Sequence, residues 1–151
     1  RCVVTAPRIA MSSFIIHNVA VVLADKLVPD AHVVIRDGRI AKISGDVKRM
    51  PKEAVMVDGK GGYLSPGFVD VHVHGGGGGD FMDGTADAAR AACRTHFRHG
   101  TTTMFPTTTT GTPEEIHAMP AACREVAEEA ADDALPRMPG IHLHGPFCAA
   151  D

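Results

Sequence analysis

Apolar residues in the first part of this chain come in short runs rich in β-branched side chains. Four runs, at residues 14–23, 31–35, 39–43 and 55–58, predict four β-strands. The polar stretch 25–30 predicts a turn, and Asp37-Gly38 predicts a tight hairpin between the second and third strands. We expect the glycine-rich stretch 59–62 to end the fourth strand. Residues 12–62 are thus predicted to form a small antiparallel β unit.

Beyond residue 64 the apolar spacing alternates between that of strands and that of helices. It predicts strands at 68–74, 101–106 and 138–144, and helices at 85–100 and from residue 112 onwards. Thr112, Pro113 and Glu115 are typical of a helix N-terminus, because they combine a threonine cap, an early proline and a capping-box glutamate. Pro120 predicts a kink or break in that helix. Strands alternating with helices predict a parallel α/β sheet with right-handed crossovers.

The strand at 68–74 carries candidate chemistry, since Asp70, His72 and His74 alternate with valines. Alternate side chains of a strand share a face and lie about 6.5 to 7 Å apart. Two imidazoles tilted together therefore reach one metal ion at about 2.0 to 2.1 Å each. The alternatives are structural histidines and a flexible linker made of the glycines 75–79. We favour a metal site because these glycines directly follow a β-branched strand and let the backbone turn sharply beside an ion.

The predicted strand at 138–144 places two more histidines, His142 and His144, on one face. The threonine run 107–110 follows the strand at 101–106, at the end where parallel α/β proteins carry their functional residues.

Charge and cysteine content narrow the function classes. The chain has 15 basic and 18 acidic residues, a net charge of −3 and no basic run, so neither nucleic acid nor a membrane is expected as a partner. Cys2, Cys93, Cys123 and Cys148 form no C-x-x-C pair and are expected to be free thiols. Cys148 is expected to be a buried, inert thiol, with an approach to the site as the alternative. We expect a soluble, cytoplasmic protein in which residues 1–11 are an N-terminal extension.

Three motifs resemble one family. Residues 64–75 (LSPGFVDVHVHG) resemble the first barrel strand of the amidohydrolase superfamily, and their continuation through Gly84 resembles the N-acetylglucosamine-6-phosphate deacetylase family. Residues 99–107 (HGTTTMFPT) resemble the second strand of that family, and residues 140–147 (GIHLHGPF) resemble its third. The resemblance covers residues 12–151.

The resemblance implies the N-terminal part of a (β/α)8 TIM-type barrel preceded by a small β-sandwich segment. Residues 12–64 would be an incomplete part of the β-sandwich, and residues 65–151 the first three strands and two helices of the barrel. Because such a barrel needs about 250 residues, we expect residues 1–151 to be a fragment that is inactive by itself. The resemblance also implies a homodimer at full length.

The implied activity is deacetylation of N-acetylglucosamine 6-phosphate to glucosamine 6-phosphate and acetate, in amino-sugar catabolism. A divalent ion, zinc or else iron or another first-row metal, would lower the pKa of its bound water toward 7 and polarise the amide carbonyl. His72, His74 and His144 are the implied metal ligands. No catalytic residue is expected in this segment, since the general-base aspartate of the family lies beyond residue 151.

Two positions and two alternative functions stay open. The family usually has a metal-binding glutamate where His144 stands; a neutral histidine cannot bridge two ions, so we expect a more electropositive, mononuclear site. His142 is expected to support the ligands or contact substrate, with a purely structural role as the alternative. The other functions are a different amidohydrolase, acting on a cyclic amide or an aminopurine, and a non-catalytic metal-binding relative.

Overall fold

The computed structural model describes residues 13–44, 54–133 and 135–145, the side chains of 129–133 excepted. These residues fall into two compact units, one ending at Pro66 and the other beginning at Gly67. The first unit is a sheet, and the second combines strands with helices. The predicted α/β class is confirmed, while the described residues show neither a complete barrel nor a complete sandwich.

The first unit is a four-stranded sheet with the order β3-β2-β1-β4. Its strands are β1 (Ser13–Val22), β2 (Leu27–Arg36), β3 (Arg39–Ser44) and β4 (Val55–Leu64). Asp37 and Gly38 both have positive φ and join β2 to β3, which confirms the predicted hairpin. The prediction that all strands of this unit are antiparallel was wrong, because β4 pairs with β1 in parallel. Alternate residues of β1 and β2 build the core, where Val19 faces Ala31.

Two strand ends in this unit differ from the prediction. β2 already begins at Leu27, so the polar turn is shorter than expected, and β4 continues through its glycines to Leu64. A bulge explains the second difference, because the β1–β4 register shifts after His17. Asn18 and Lys60 adopt positive φ at the bulge, and the pairing resumes beyond them.

The second unit pairs β5 (Phe68–Val73) with β8 (Thr101–Pro106) in parallel, with helix α1 (Ala86–Arg98) between them in sequence. This confirms the predicted parallel pairing. Thr85 caps α1 by accepting a hydrogen bond from the backbone N–H of Ala88 at 3.3 Å. The core of the unit forms where α1, β8 and the second helix meet, and its buried members include Phe81, Ala92, Cys93, Met104, Met119 and Val126.

Helix α2 (Pro113–Asp133) begins as its sequence predicts. The Thr112 hydroxyl accepts from the N–H of Glu115, and the Glu115 carboxylate accepts from the N–H of Thr112. Of the predicted kink or break at Pro120, the break was wrong, because the helix continues through this residue. Burial of Met119 and Val126 on the packed face stabilises a helix that has lost one backbone hydrogen bond. Among the described helices, none is both long and apolar enough to cross a bilayer.

The third predicted strand, 138–144, is reduced to two isolated parallel bridges beside β8. Thr103 pairs with Arg137, and Thr107 pairs with His142. Pro139 has no N–H to donate, so a continuous ladder cannot form between the two bridges. The chain nevertheless stays alongside β8, because His142 donates its N–H to the carbonyl of Pro106 at 2.9 Å.

The glycine run after His74 folds into a tight hairpin. Strands β6 (Gly75–Gly76) and β7 (Gly79–Asp80) are joined by Gly77 and Gly78, whose φ angles are +62° and +89°. Only glycine adopts such angles without cost at two successive positions. The hairpin packs against α1, since a Cβ on Gly79 would lie 2.4 Å from the Ala88 carbonyl oxygen. The glycines therefore form an ordered structural element that contacts a helix.

Candidate metal centre

His72 and His74 meet at the carboxyl end of β5. Alternation along the strand puts both side chains on one face, as the sequence predicted. Their Nε2 atoms lie 3.1 Å apart, with ring planes at 74° to each other. The carbonyl of His74 accepts a hydrogen bond from the N–H of Phe81 at 2.8 Å, which ties the end of the strand to the turn after the glycine hairpin.

His144 completes a group of three histidines. One ligand atom from each of His72, His74 and His144 lies within 4.8 Å of the others. The His144 ring centroid is 5.1 Å from that of His72 and 6.0 Å from that of His74. The structure therefore brings together the three histidines that the sequence predicted to converge, from chain positions about 70 residues apart.

His142 lies next to this group but is not part of it. Its Nδ1 is 2.9 Å from the carbonyl oxygen of Val71, so Nδ1 carries the proton and donates. Its ring meets that of His72 edge to face, with centroids 4.8 Å apart and planes at 87°. His142 is thus held by the β5 backbone and limits the rotation of the His72 ring.

The electrostatics of the site favour a neutral imidazole at His72. Loss of hydration and then the proximity of His142, His74 and His144 lower the pKa of His72 below its ordinary value of 6.5. Asp70 opposes this effect with its negative charge, and its carboxylate accepts the N–H of His72 at 3.1 Å. A neutral imidazole keeps a lone pair free for a metal ion.

Geometry and donor type both fit a divalent ion. Two nitrogens that share one tetrahedral ion at about 2.05 Å lie about 3.4 Å apart. The 3.1 Å separation of the His72 and His74 nitrogens is close to this, and a ring movement of at most about 1.4 Å brings the His144 nitrogen to the same separation. The Nδ1 atom of His74 is buried without a partner among the described residues. Imidazole nitrogens suit zinc and other first-row ions.

Some contacts around the histidine group were not predicted from the sequence, and some predicted residues lie outside the described part of the chain. The backbone hydrogen bonds made by Thr107 and Thr108 were not foreseen, although the threonine run was noted at the functional end of the sheet. The Nε2 of His96 lies 3.0 Å from the carbonyl oxygen of Gly75, a contact that was not foreseen either. Cys148, predicted to be a buried, inert thiol, lies outside the described part of the chain, as does any general-base aspartate beyond residue 151.

Comparison with known sequences identifies relatives of the chain. The sequence model of the Amidohydrolase family matches residues 63–151. N-acetylglucosamine-6-phosphate deacetylase of Bacillus subtilis (strain 168) is 30% identical over 136 residues, which cover 89% of this chain and 34% of the relative. Dihydroorotase of Anaeromyxobacter sp. (strain K) is 44% identical over 61 residues, which cover 40% of this chain and 14% of that enzyme. The chain thus spans about a third of the length of the deacetylase it matches.

Solved structures agree with these sequence relatives. N-acetyl-D-glucosamine-6-phosphate deacetylase of Mycobacterium smegmatis superposes with a TM-score of 0.67 at 27% identity, over 90% of this chain and 36% of that one. The deacetylase of Pasteurella multocida has a TM-score of 0.75 at 23% identity, over 91% of this chain and 35% of that one, which supports the fold alone. The histidine group thus lies in a fold shared with metal-dependent hydrolases.

Proposed function

The chain belongs to the amidohydrolase family, and on that premise we propose that the full-length protein deacetylates N-acetylglucosamine 6-phosphate to glucosamine 6-phosphate and acetate. The observation that carries the proposal is the convergence of His72, His74 and His144 at the carboxyl end of a parallel strand pair. The similarity to deacetylases over 89% of the chain supplies the reaction and the substrate.

We assign His72, His74 and His144 as the residues that hold the metal ion of this family, with zinc as the proposed ion. Bound there, a zinc ion would activate water as a nucleophile and polarise the amide carbonyl of the acetyl group. His142, held by its hydrogen bond to Val71 and packed edge to face on the ring of His72, would support that ligand or contact substrate. The general-base aspartate belongs to the part of the protein beyond residue 151.

His144 gives the proposed site an unusual charge. Three neutral imidazoles leave the full positive charge of the ion uncompensated, which strengthens its pull on a carbonyl oxygen or a phosphate. An imidazole also cannot bridge two ions as a carboxylate does. The full-length protein should therefore bind one zinc ion per subunit, counted by elemental analysis after exhaustive dialysis. Two tightly held ions per subunit would contradict this assignment.

The larger architecture belongs to the same proposal. Residues 12–64 would contribute to a β-sandwich, and residues 65–151 would begin a (β/α)8 barrel, with residues 1–11 as an extension. The support is the superposition on full-length deacetylases and the parallel β5–β8 pair. We further propose a homodimer in the cytoplasm, where the free, buried thiols of Cys93 and Cys123 would persist.

Acetate release tests the activity. The full-length protein, purified with zinc, should release acetate from N-acetylglucosamine 6-phosphate much faster than from N-acetylglucosamine, which lacks the phosphate. His72→Gln and His74→Gln should abolish activity together with zinc binding, whereas His117→Gln on the exposed start of α2 serves as the matched control. Retained activity in both site variants would refute the proposal.

A second candidate is supported by the dihydroorotase relative, which is 44% identical over 61 residues. A cyclic-amide hydrolase would open dihydroorotate and release no acetate from the amino-sugar phosphate. Ammonia release from aminopurines tests the remaining amidohydrolase alternative. A non-catalytic relative would bind zinc and turn over none of these compounds.

A further inference from the structure

Two consecutive threonines join the strand ends that carry the histidines. Thr107 and Thr108 follow β8 directly and are almost completely buried, with exposed fractions of 0% and 2%. Successive residues of an extended chain direct their N–H groups to opposite sides. The N–H of Thr107 accordingly donates to the carbonyl of Val73 on one side, and the N–H of Thr108 donates to the carbonyl of His142 on the other.

The two hydroxyl groups extend this pairing where regular ladders are absent. The Thr107 hydroxyl accepts the N–H of Val73 at 2.9 Å, between His72 and His74 in the chain. The Thr108 hydroxyl accepts the N–H of His144 at 2.9 Å and donates to the carbonyl of the same residue at 3.1 Å. The two threonine hydroxyl groups thus form hydrogen bonds with the backbone of both segments that carry the histidines, at Val73 and at His144.

Among the described residues, both side chains hydrogen-bond to backbone groups alone, and the Thr107 hydroxyl also donates to the carbonyl of Phe105 at 3.0 Å. A buried hydroxyl is stable only when it is hydrogen-bonded, and an apolar residue of similar size would pack at either position. The next two threonines, Thr109 and Thr110, are exposed, so burial separates one pair of threonines from the other within a single run. The residue type therefore matters at Thr107 and Thr108 for its hydrogen bonds to the neighbouring backbone.

We infer that Thr107 and Thr108 are positioning residues that fix the backbone on which the three histidines converge, with Thr108 setting the place of His144. This inference rests on the proposed metal centre. His144 depends most on this support, since the described part of its segment makes only isolated backbone bridges to β8 and its end. Loss of groups that orient metal ligands typically weakens metal affinity about 10- to 100-fold.

The test is a double-mutant cycle on zinc affinity in the full-length protein. Zn²⁺ alone is the probe, and affinity is measured by competition with a chromophoric chelator. Thr108→Val should weaken zinc binding by about 10- to 100-fold. Thr108→Ser, which keeps the hydroxyl, should restore most of the affinity, and the exposed Thr109→Val should leave it unchanged. If the valine variant does not fold, as judged by circular dichroism, Thr108→Ala replaces it.

Introducing Thr108→Val into a His144→Gln background distinguishes positioning from general structural support. If Thr108 acts through His144, the second substitution has little further effect on zinc affinity. An equal loss of affinity in both backgrounds, or no loss in Thr108→Val alone, would overturn the inference while leaving the metal centre intact. Should His144→Gln bind zinc as tightly as the wild-type protein, the proposed metal centre fails, and the role of Thr108 fails with it.

Discussion

Replacement of Gly79 by alanine should destabilise the second unit through one short contact. A Cβ built on Gly79 lies 2.4 Å from the carbonyl oxygen of Ala88 and 2.9 Å from its Cα. Carbon atoms in favourable contact with their neighbours sit about 3.5 Å or more away, so hairpin and helix must separate by about 1 Å. The atoms that clash are helix backbone, which cannot rotate away as a side chain does.

The expected loss of stability in Gly79→Ala follows from the residues that α1 buries in the core. Displacing the helix disturbs Ala89, Ala92 and Cys93, which are all 1% exposed or less. Overpacking of a well-packed core typically costs 1 to 3 kcal/mol, and because backbone must move here we expect about 3 kcal/mol. Gly78→Ala is the matched control. Its Cβ meets nothing within 4 Å, so only its φ of +89° adds a cost, of about 1 kcal/mol.

Urea denaturation of the full-length protein measures both variants. The midpoint should fall further for Gly79→Ala than for Gly78→Ala at an unchanged m-value, because the contact changes stability and not the surface exposed on unfolding. If the two variants lose the same free energy of unfolding, within about 0.5 kcal/mol, the hairpin does not pack on α1. The ordered hairpin described above would then be refuted.

Three further predictions concern capping, charge and thiol chemistry. Thr85→Ala should lower the free energy of unfolding by about 1 kcal/mol, because it removes the cap of α1, and Thr85→Ser should retain most of it in urea denaturation. Backbone and side-chain hydrogen bonds lower the pKa of Asp58 below 3.8, so its ionised form stabilises the fold above that pH. Asp58→Asn should therefore be destabilised at pH 7, and the difference from wild type should vanish as the pH falls well below 3.8; a difference that persists at low pH would argue against the charge. Burial raises the pKa of Cys93 to about 11 and that of Cys123 to about 12, so both thiols should resist alkylation at pH 8 until urea unfolds the protein, as peptide mapping by mass spectrometry would show.

Local sequence signals predicted the elements whose causes are local. Asp37-Gly38 specifies its hairpin by backbone conformation alone, and Thr112 with Glu115 specifies a helix start through reciprocal hydrogen bonds. The histidine pair could also be predicted from the sequence, since strand alternation places His72 and His74 on the same face. These features are determined by neighbouring residues and do not depend on distant parts of the chain.

Features that depend on distant partners could not be predicted in this way. The parallel pairing of β4 with β1 depends on a strand about 40 residues away, and the sequence of β4 does not indicate in which direction it runs relative to β1. Pro120 stayed within a continuous helix because tertiary packing outweighs one lost hydrogen bond. Pro139 had the opposite effect on the third strand, where edge pairing depends on each N–H.

The three histidines are divided unequally along the chain. His72 and His74 are neighbours on one strand, whereas His144 follows 70 residues later on a segment beside β8. In the proposed metal centre, a chain that has formed only β5 would offer two imidazole ligands, and docking of the last segment would add the third. Affinity for zinc should therefore rise in two stages as the protein folds, with loose, reversible capture preceding tight retention.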